Sequence, residues 1–305
     1  MKTDIPLSVT TNAGTHQSQA EQRGTALMVM GGLILGTIGI FVEEAAQSPV
    51  TTVLFRCLFG GLALLLWGLA NRRLPELRLR GRALLGAIGA GLLMATNWGL
   101  FFAAIPRSSI GVATVIFHIQ PFWVMAMGAW WLREKVSVQR AVAAVFALLG
   151  LALATGLLDG GRLQPITHDY VVGIAMCVVG SLAYAGVTMI AKVMSSVSSF
   201  ALAWWQCTVG VMLTAWWPFV YGWPSTESAW AWLAGLGIIH TGLAYAVLYA
   251  GMSRLRTSRI ALLQFVYPVT AILVDWAVYG HALSVIQVAG VLLMAFTLWS
   301  VRRSE

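Results

Sequence analysis

Residues 115–123 read VIFHIQPFW and residues 262–270 read LLQFVYPVT, so a proline stands inside an apolar run twice. A proline within a helix removes one backbone hydrogen bond and pushes away the carbonyl four residues earlier. In lipid, such a carbonyl must be received by protein or by a water-filled cavity. We therefore predict that Pro121 and Pro268 bend two membrane helices at a shared cavity and allow it to open and close. A purely structural kink is the alternative.

The composition predicts a membrane protein made of helices. Of the 305 residues, 59% are hydrophobic and 10% are charged, whereas soluble domains carry about 25% charged residues. Ten apolar runs reach or approach the ~18 residues that signal a membrane span. The predicted fold class is therefore all-α, a polytopic membrane protein with ten transmembrane helices. We number the runs as segments 1 to 10, at about 25–42, 50–70, 83–105, 109–132, 136–158, 170–194, 200–220, 230–252, 259–279 and 283–301.

The termini and loops predict the orientation of the chain. Residues 1–23 are polar, with no apolar run behind the early lysine, so we predict a disordered cytoplasmic tail rather than a signal peptide. If the N-terminus is cytoplasmic, sixteen lysines and arginines lie inside and three lie outside, namely Arg56, Arg107 and Arg162. This bias predicts an inner (plasma) membrane protein with both termini cytoplasmic. It also explains the net charge of +8 without nucleic acid as a partner.

The sequence resembles itself weakly at an offset of 147 residues. At this offset the two prolines coincide, and Trp98 falls on Tyr245. Each half then holds five spans, and because five is odd, the second half must start on the opposite side of the membrane. We predict an inverted five-plus-five repeat with one half at residues 24–158 and the other at 159–305. Inverted repeats around a site near the midplane are a carrier architecture.

A resemblance to a known family is carried by the end of each half. The first half closes with WLREKVSVQRAVAAVFALLGLAL and the second contains YGHALSVIQVAGVLLM. With the five-plus-five spans and the paired prolines, these stretches resemble the EamA-type carriers of the drug/metabolite transporter superfamily. Glu134 and Gln139 match the pattern of that family, whereas His281 stands where glutamate is usual. The resemblance implies a ten-helix carrier of small organic solutes, with aromatic amino-acid exporters as one branch.

Polar and aromatic side chains within the spans form the candidate substrate site. His118 shares a helix face with Pro121, and Gln264 and Tyr267 share one with Pro268. A histidine within a membrane is a candidate proton acceptor or ligand, although a backbone carbonyl would also satisfy it. Aromatic side chains of segments 3 and 8 could enclose a flat apolar solute or simply pack between helices. The predicted substrate-binding residues are Asn97, Trp98, Phe101, His118, Gln120, Tyr184, Thr188, His240, Tyr245, Tyr249, Gln264 and Tyr267.

Arg56 is a charged residue inside a predicted span, about six residues from the outer end of segment 2. A charge within a span usually faces the interior of the bundle and is paired. Glu43 and Glu44, in the outer loop just before this segment, are the candidate partners. We expect an Arg–Glu gate at the outer rim, and recognition of a substrate carboxylate by Arg56 is the alternative.

Enzyme functions are disfavoured because the sequence contains none of the usual hydrolase, metalloprotease or dinucleotide motifs. The three cysteines show neither a disulfide framework nor a metal spacing, so we expect no metal and no cofactor. We predict a carrier that exports small amphipathic metabolites, above all amino acids including aromatic ones, by alternating access through a central cavity. A channel, or a carrier of drugs, nucleotide-sugars or sugar-phosphates, stays open as an alternative. The expected partners are a small-molecule substrate and the lipid bilayer, and a monomer is one of the oligomeric states that the sequence allows.

Overall fold

The computed structural model describes residues 8–156, 167–194 and 196–303. These residues form helices joined by turns, and no β-strand occurs among them. The all-α class is therefore confirmed. Residues 1–7 of the predicted tail and Arg162, which was predicted to lie outside, are not among the described residues.

Each numbered segment is helical in the structure. Seven helices, in segments 1, 2, 3, 4, 6, 8 and 9, are long and apolar enough to cross a membrane, and segments 5 and 10 contain shorter apolar helices. Segment 7 is a 16-residue helix followed by a short one. In segment order, the helices are Ser8–Gly36 with Ile38–Ala45; Pro49–Ala70; Gly81–Ala104; Ile110–Phe117 with Gln120–Trp131; Val138–Ala154; His168–Val193; Ser199–Thr214 with Trp217–Tyr221; Glu227–Gly235 with Ala244–Met252; Thr257–Leu263 with Val266–Tyr279; and Val285–Arg303. Leu236–Leu243 is a π-helix inside segment 8, and Leu74–Leu77 and Ile105–Arg107 are short 3₁₀ turns.

The first helix begins earlier than predicted. It starts at Ser8, so the part of the predicted disordered tail that follows this residue is helical. An existing helix lengthens by one hydrogen bond per residue without a new nucleus, and the alanine, glutamine and glutamate residues here favour helix. At the junction with the span, Glu21 pairs with Arg259 at 3.5 Å, and Gly24 packs against Leu255. These contacts fix the start of the span to the beginning of segment 9.

Hydroxyl side chains set the starts of several segments. Ser48, Ser109, Thr167, Ser198 and Thr226 each precede a helix, and each accepts a hydrogen bond from the backbone N–H three residues later. An N-cap of this kind satisfies one of the backbone donors that a helix start leaves without an intrahelical partner. The segment boundaries are therefore encoded locally, in the short loops.

The helices of the two halves pack in the same scheme. Segment 3 packs on segment 6, and its mate, segment 8, packs on segment 1. Segment 2 packs on segment 8, and its mate, segment 7, packs on segment 3. Segment 1 packs on segment 9, and its mate, segment 6, packs on segment 4. Segments 5 and 10, 2 and 7, and 4 and 9 contact each other directly. Exchanging the two halves leaves this scheme unchanged. The contacts between segments 3 and 6, 6 and 4, 4 and 9, 9 and 1, and 1 and 8 consequently connect six segments in one continuous set.

Large apolar side chains cover much of the outer surface of the bundle. Trp130 and Phe219 are each 78% exposed, and Val285 is 87% exposed. Extended apolar surface of this kind needs an apolar environment. The bilayer is therefore the solvent of this surface, in agreement with the hydropathy of the segments.

Candidate functional site

Two helices are broken at equivalent places in the two halves. Segment 4 is interrupted at residues 118–119 and segment 9 at residues 264–265, which coincide within one residue at the 147-residue offset. Pro121 and Pro268 lie in the first turn of the helix that follows each break, and both are buried. Proline is tolerated there because the first helical N–H groups have no intrahelical partner. Both broken segments therefore turn their prolines towards the interior of the protein.

Polar side chains from the two breaks bond to each other. The amide of Gln120 donates to the side-chain oxygen of Gln264 at 2.7 Å. Both amides also lie beside the Thr188 hydroxyl of segment 6, at 3.5 Å from Gln120 and 3.3 Å from Gln264. The hydroxyl itself donates to the Tyr184 carbonyl at 3.1 Å. We call Gln120, Thr188 and Gln264 the amide cluster, and it joins the two halves by neutral hydrogen bonds that a polar solute can replace.

His118 and Tyr267 border the amide cluster. The His118 ring lies nearly parallel to the Tyr267 ring, with the ring centroids 6.0 Å apart. Its Nδ1 is 2.7 Å from the Thr114 carbonyl, to which it must donate because a carbonyl oxygen only accepts. The backbone carbonyl thus satisfies Nδ1, which is the alternative given in the sequence analysis. The other ring nitrogen, Nε2, takes no part in this bond.

Aromatic side chains from both halves enclose the same region. Trp98 and Tyr245, which coincide at the 147-residue offset, meet edge to face with ring centroids 6.2 Å apart. Tyr184 stacks on Phe117 at 6.4 Å. Tyr184 and Tyr267 pack against the buried cluster that contains Trp98 and Tyr245. The aromatic rings of segments 3, 6, 8 and 9 therefore converge beside the amide cluster.

Arg56 reaches into this region from segment 2. Its side chain is buried, with 2% of the residue exposed. Its Nε donates to the Thr241 hydroxyl at 2.9 Å, and its guanidinium carbon lies 4.3 Å from the centre of the Trp98 ring. Its Nη2 is buried and has no hydrogen-bond partner among the described residues. A charged donor is therefore left with unused hydrogen-bonding capacity inside the bundle.

Close backbone approach between segments 2 and 8 places Thr241 beside Arg56. A Cβ on Gly60 would lie 2.8 Å from the Gly237 carbonyl, and a Cβ on Gly237 would lie 2.8 Å from the Arg56 carbonyl. Only glycine permits this approach at both positions. Gly237 and Thr241 belong to the π-helix, a local widening that is frequent at functional sites.

The expected ion pair of Arg56 with Glu43 or Glu44 is not formed in the structure. Both glutamates are exposed, and Glu44 accepts a weak hydrogen bond from the Tyr279 hydroxyl at 3.4 Å. The expectation was wrong because the Arg56 side chain extends towards segments 3 and 8, whereas the glutamates belong to the short helix Ile38–Ala45 and are exposed. A gate of these three residues at the outer rim is consequently not present in this conformation.

Other predicted site residues join helices instead of bordering the amide cluster. Asn97 donates to the Gly180 carbonyl at 3.0 Å and ties segment 3 to segment 6. Phe101 packs beside the Ala104, Ala113 and Cys177 core. The remaining contacts of this kind involve His240 and Tyr249.

His240 and Tyr249 bond to residues that the sequence analysis did not select. Thr37 donates its hydroxyl to the Ile34 carbonyl, so its oxygen accepts from His240 Nε2 at 2.8 Å. Tyr249 donates to the Gln206 side chain of segment 7. Gln206 is a polar residue deep inside an apolar run, so the criterion that selected Gln264 would also have found it. Thr37 carries no comparable signal, because threonine is common in spans.

No group of three or more His, Cys, Asp or Glu side chains suited to a metal ion occurs in the described part of the chain. An apolar helical bundle with two broken helices and a polar layer between its halves is the architecture of a secondary membrane transporter. Comparison with known proteins identifies the family. The sequence model of the EamA-like transporter family matches residues 22–156 and again residues 171–302, and the chain belongs to this family.

Proteins that are similar to this chain over most of their length are named as transporters. The uncharacterized transporter YxxF of Bacillus subtilis (strain 168) is 28% identical over 288 residues, which cover 92% of this chain and 91% of that protein. An uncharacterized transporter of Archaeoglobus fulgidus is 24% identical over 268 residues, covering 88% and 92%. A solved crystal structure superposes with a TM-score of 0.77 at 19% identity and covers 90% of this chain and 95% of that one, which shows a common fold. The chain is therefore a membrane transporter and not an enzyme.

Proposed function

We propose that the chain is a ten-span carrier built from two inverted five-helix repeats, at residues 24–158 and 159–305. The packing scheme of the helices, which is unchanged when the halves are exchanged, supports the repeat, and so does the match of the same family model to each half. The count of basic residues inside and outside supports an inner-membrane location with both termini cytoplasmic. Because carriers with this symmetry expose one central site to each side in turn, we assign alternating access to the chain.

The hydrogen bond between Gln120 and Gln264 is the observation that carries this proposal. It joins the two broken helices at their breaks, in the interior of the bundle. Gln120 and Thr188 are buried, whereas Gln264 is partly exposed. Rocking of one half against the other would separate the two amides and open the site. A bound solute would take the place of the bonds that are lost.

The chemistry of the site suits small amphipathic metabolites, and we propose amino acids, including aromatic ones, as the substrates. Trp98, Tyr245, Tyr184 and Tyr267 provide a wall for a flat apolar side chain. The amide cluster offers neutral donors and acceptors for the polar end. Export as the direction of transport follows from analogy with exporters of the same fold.

Transport in proteoliposomes tests the proposal. Purified protein is reconstituted and presented with labelled amino acids, drugs and a sugar phosphate, with and without a pH gradient. We expect saturable uptake of aromatic amino acids and counterflow driven by unlabelled amino acid inside. A channel would show neither saturation nor counterflow, and transport of drugs or the sugar phosphate alone would favour another carrier class.

Variants at the breaks test the site within the same assay. His118→Ala and Gln264→Ala are expected to change the rate or the half-saturation concentration. Gln139→Ala, which alters an exposed glutamine, is the matched control and should behave like the wild type. If both site variants leave rate and half-saturation unchanged for every transported compound, the proposed site is wrong.

A further inference from the structure

We infer that Arg56 binds a carboxylate of the transported solute and thereby selects monoanionic or zwitterionic substrates over neutral amides and amines. This inference rests on the proposed function, because it requires that the central region of the bundle is the transport site. It assigns the recognition of charge to segment 2, which the proposed function did not use.

The burial of Arg56 is the first step of the argument. An arginine that is 2% exposed and lies in a membrane segment needs a partner, because an uncompensated buried charge is strongly unfavourable. Among the described residues, Arg56 has a hydroxyl and an aromatic face as partners, Thr241 and Trp98, and forms no ion pair. Neither partner carries a negative charge. A negative charge from outside the chain would complete the site.

A carboxylate of the ligand would be recognised by the unused donor of Arg56. Thr241 occupies Nε, and Nη2 is left buried without a partner. A guanidinium N–H is a strong donor to carboxylate oxygens, and such charge-assisted bonds are about twice as strong as neutral ones. Because Thr241 and the ring of Trp98 already hold the guanidinium in place, a ligand loses little by having to order this side chain.

The surroundings of Arg56 indicate the rest of the ligand. Trp98 lies on the face of the guanidinium and contacts Tyr245, so an apolar group next to the carboxylate would meet aromatic rings. Tyr267, which stacks on His118 beside the amide cluster, packs against the same buried cluster as Trp98. The carboxylate site and the amide cluster therefore belong to one region and could hold two ends of one small molecule.

The single positive charge favours a carboxylate over a phosphate ester. One arginine balances one negative charge, whereas a phosphate monoester carries close to two at neutral pH. The partners of Arg56 among the described residues, Thr241 and Trp98, carry no charge, so a dianion would bring one more negative charge than this buried arginine balances. A monocarboxylate with an aromatic body matches the site in both charge and shape.

Matched acid and amide ligands test the inference. The full-length protein in detergent is titrated with 3-phenylpropionate, 3-phenylpropionamide, phenylalanine and phenylalaninamide, and binding is followed by tryptophan fluorescence. We expect the wild type to bind each acid at least about 10-fold more tightly than its amide. Equal affinity for acid and amide, or binding of neither acid, overturns the inference.

Substitutions assign that preference to Arg56. Arg56→Gln should abolish the preference for the acids and leave amide binding unchanged, whereas Arg56→Lys should retain part of it. Arg107→Gln, which removes an arginine that pairs with Asp169 at the end of segment 3, should keep the wild-type preference. A preference that survives in Arg56→Gln overturns the inference. If Arg56→Gln does not fold, Arg56→Met, which also removes the charge, decides in its place, and a preference for the acids that survives there overturns the inference.

The two proposals fail in different ways. Transport of aromatic amino acids together with equal binding of acid and amide would leave the proposed function standing and remove the role of Arg56. Arg56-dependent binding of phenylpropionate without transport of any amino acid would retain the carboxylate site and refute amino acids as the substrates.

Discussion

Glu134 provides a quantitative test of how the ends of three segments are held together. Its Oε2 accepts hydrogen bonds from the Thr257 backbone N–H at 2.8 Å and from the Thr257 hydroxyl at 2.7 Å. Its Oε1 lies 3.9 Å from Lys192 Nζ, and Lys192 also donates to the Leu255 carbonyl. Segments 4, 6 and 9 therefore meet at one carboxylate. This is the glutamate that carries the resemblance to the EamA-type carriers.

Replacing this carboxylate by an amide keeps its shape and removes its charge. A hydrogen bond to a charged group contributes about 1.5–3 kcal/mol and a neutral one about 0.5–1.5 kcal/mol, so two bonds lose about 2–3 kcal/mol. The contact with Lys192 adds less than about 1 kcal/mol, because 3.9 Å is at the limit for an ion pair. We therefore expect Glu134→Gln to lower the free energy of unfolding by about 2–3 kcal/mol.

The assay is unfolding of the detergent-solubilised protein by titration with a denaturing detergent, followed by tryptophan fluorescence. Glu43→Gln, which alters an exposed glutamate, is the control and should unfold within about 0.5 kcal/mol of the wild type. If Glu134→Gln unfolds with the same free energy as this control, the carboxylate does not hold the three segments together. The role given to it here would then be wrong.

Three further changes test other parts of the structure. Gly60→Leu should prevent folding, because a Cβ at this position lies 2.8 Å from a carbonyl of segment 8. Gly89→Leu is the control, because a Cβ at that position meets no neighbouring atom within 4 Å. It should unfold like the wild type in the same titration. Pro268→Ala should slow counterflow, because the regained N–H can straighten segment 9 at its break. Hydrogen bonding to Arg73 holds the pKa of Glu76 below its ordinary value of 4.5. This partly buried pair stabilises the protein by under about 1 kcal/mol, and the stabilisation is present above pH 4.5. It is lost as the pH falls through the lower folded-state pKa of Glu76. Acid titration of Glu76→Gln beside the wild type measures this loss.

The segments and the sites of the helix breaks could be read from the sequence because their causes are local. Apolar runs long enough to span a bilayer form helices in lipid whatever their partners are. Prolines interrupt a helix through their own ring and missing N–H, so the breaks before Pro121 and Pro268 need no knowledge of the fold. Matching residues across the repeat also indicated that Trp98 and Tyr245 occupy related places, and their rings meet in the structure.

The partner of Arg56 could not be read from the sequence because it depends on distant residues. Proximity along the chain suggested Glu43 and Glu44, whereas the structure joins Arg56 to Thr241 of segment 8. That contact depends on close packing between two helices and on a π-helix, which arises from tertiary packing and leaves no clear pattern in one sequence. The early helix start at Ser8 was missed for a related reason, since polar composition does not reveal that an adjoining span can extend a helix.

Accessibility of the helix break tests the central claim most directly. Ile119 lies in the break of segment 4 beside Gln120, and Ile119→Cys is placed in a chain whose native cysteines, Cys57, Cys177 and Cys207, have been replaced. A membrane-impermeant thiol reagent is then applied to right-side-out and to inside-out vesicles. Alternating access predicts labelling from both sides, slowed in both cases by saturating substrate. Labelling from one side only, or labelling that substrate does not affect, would contradict a central site opened in turn to the two sides of the membrane.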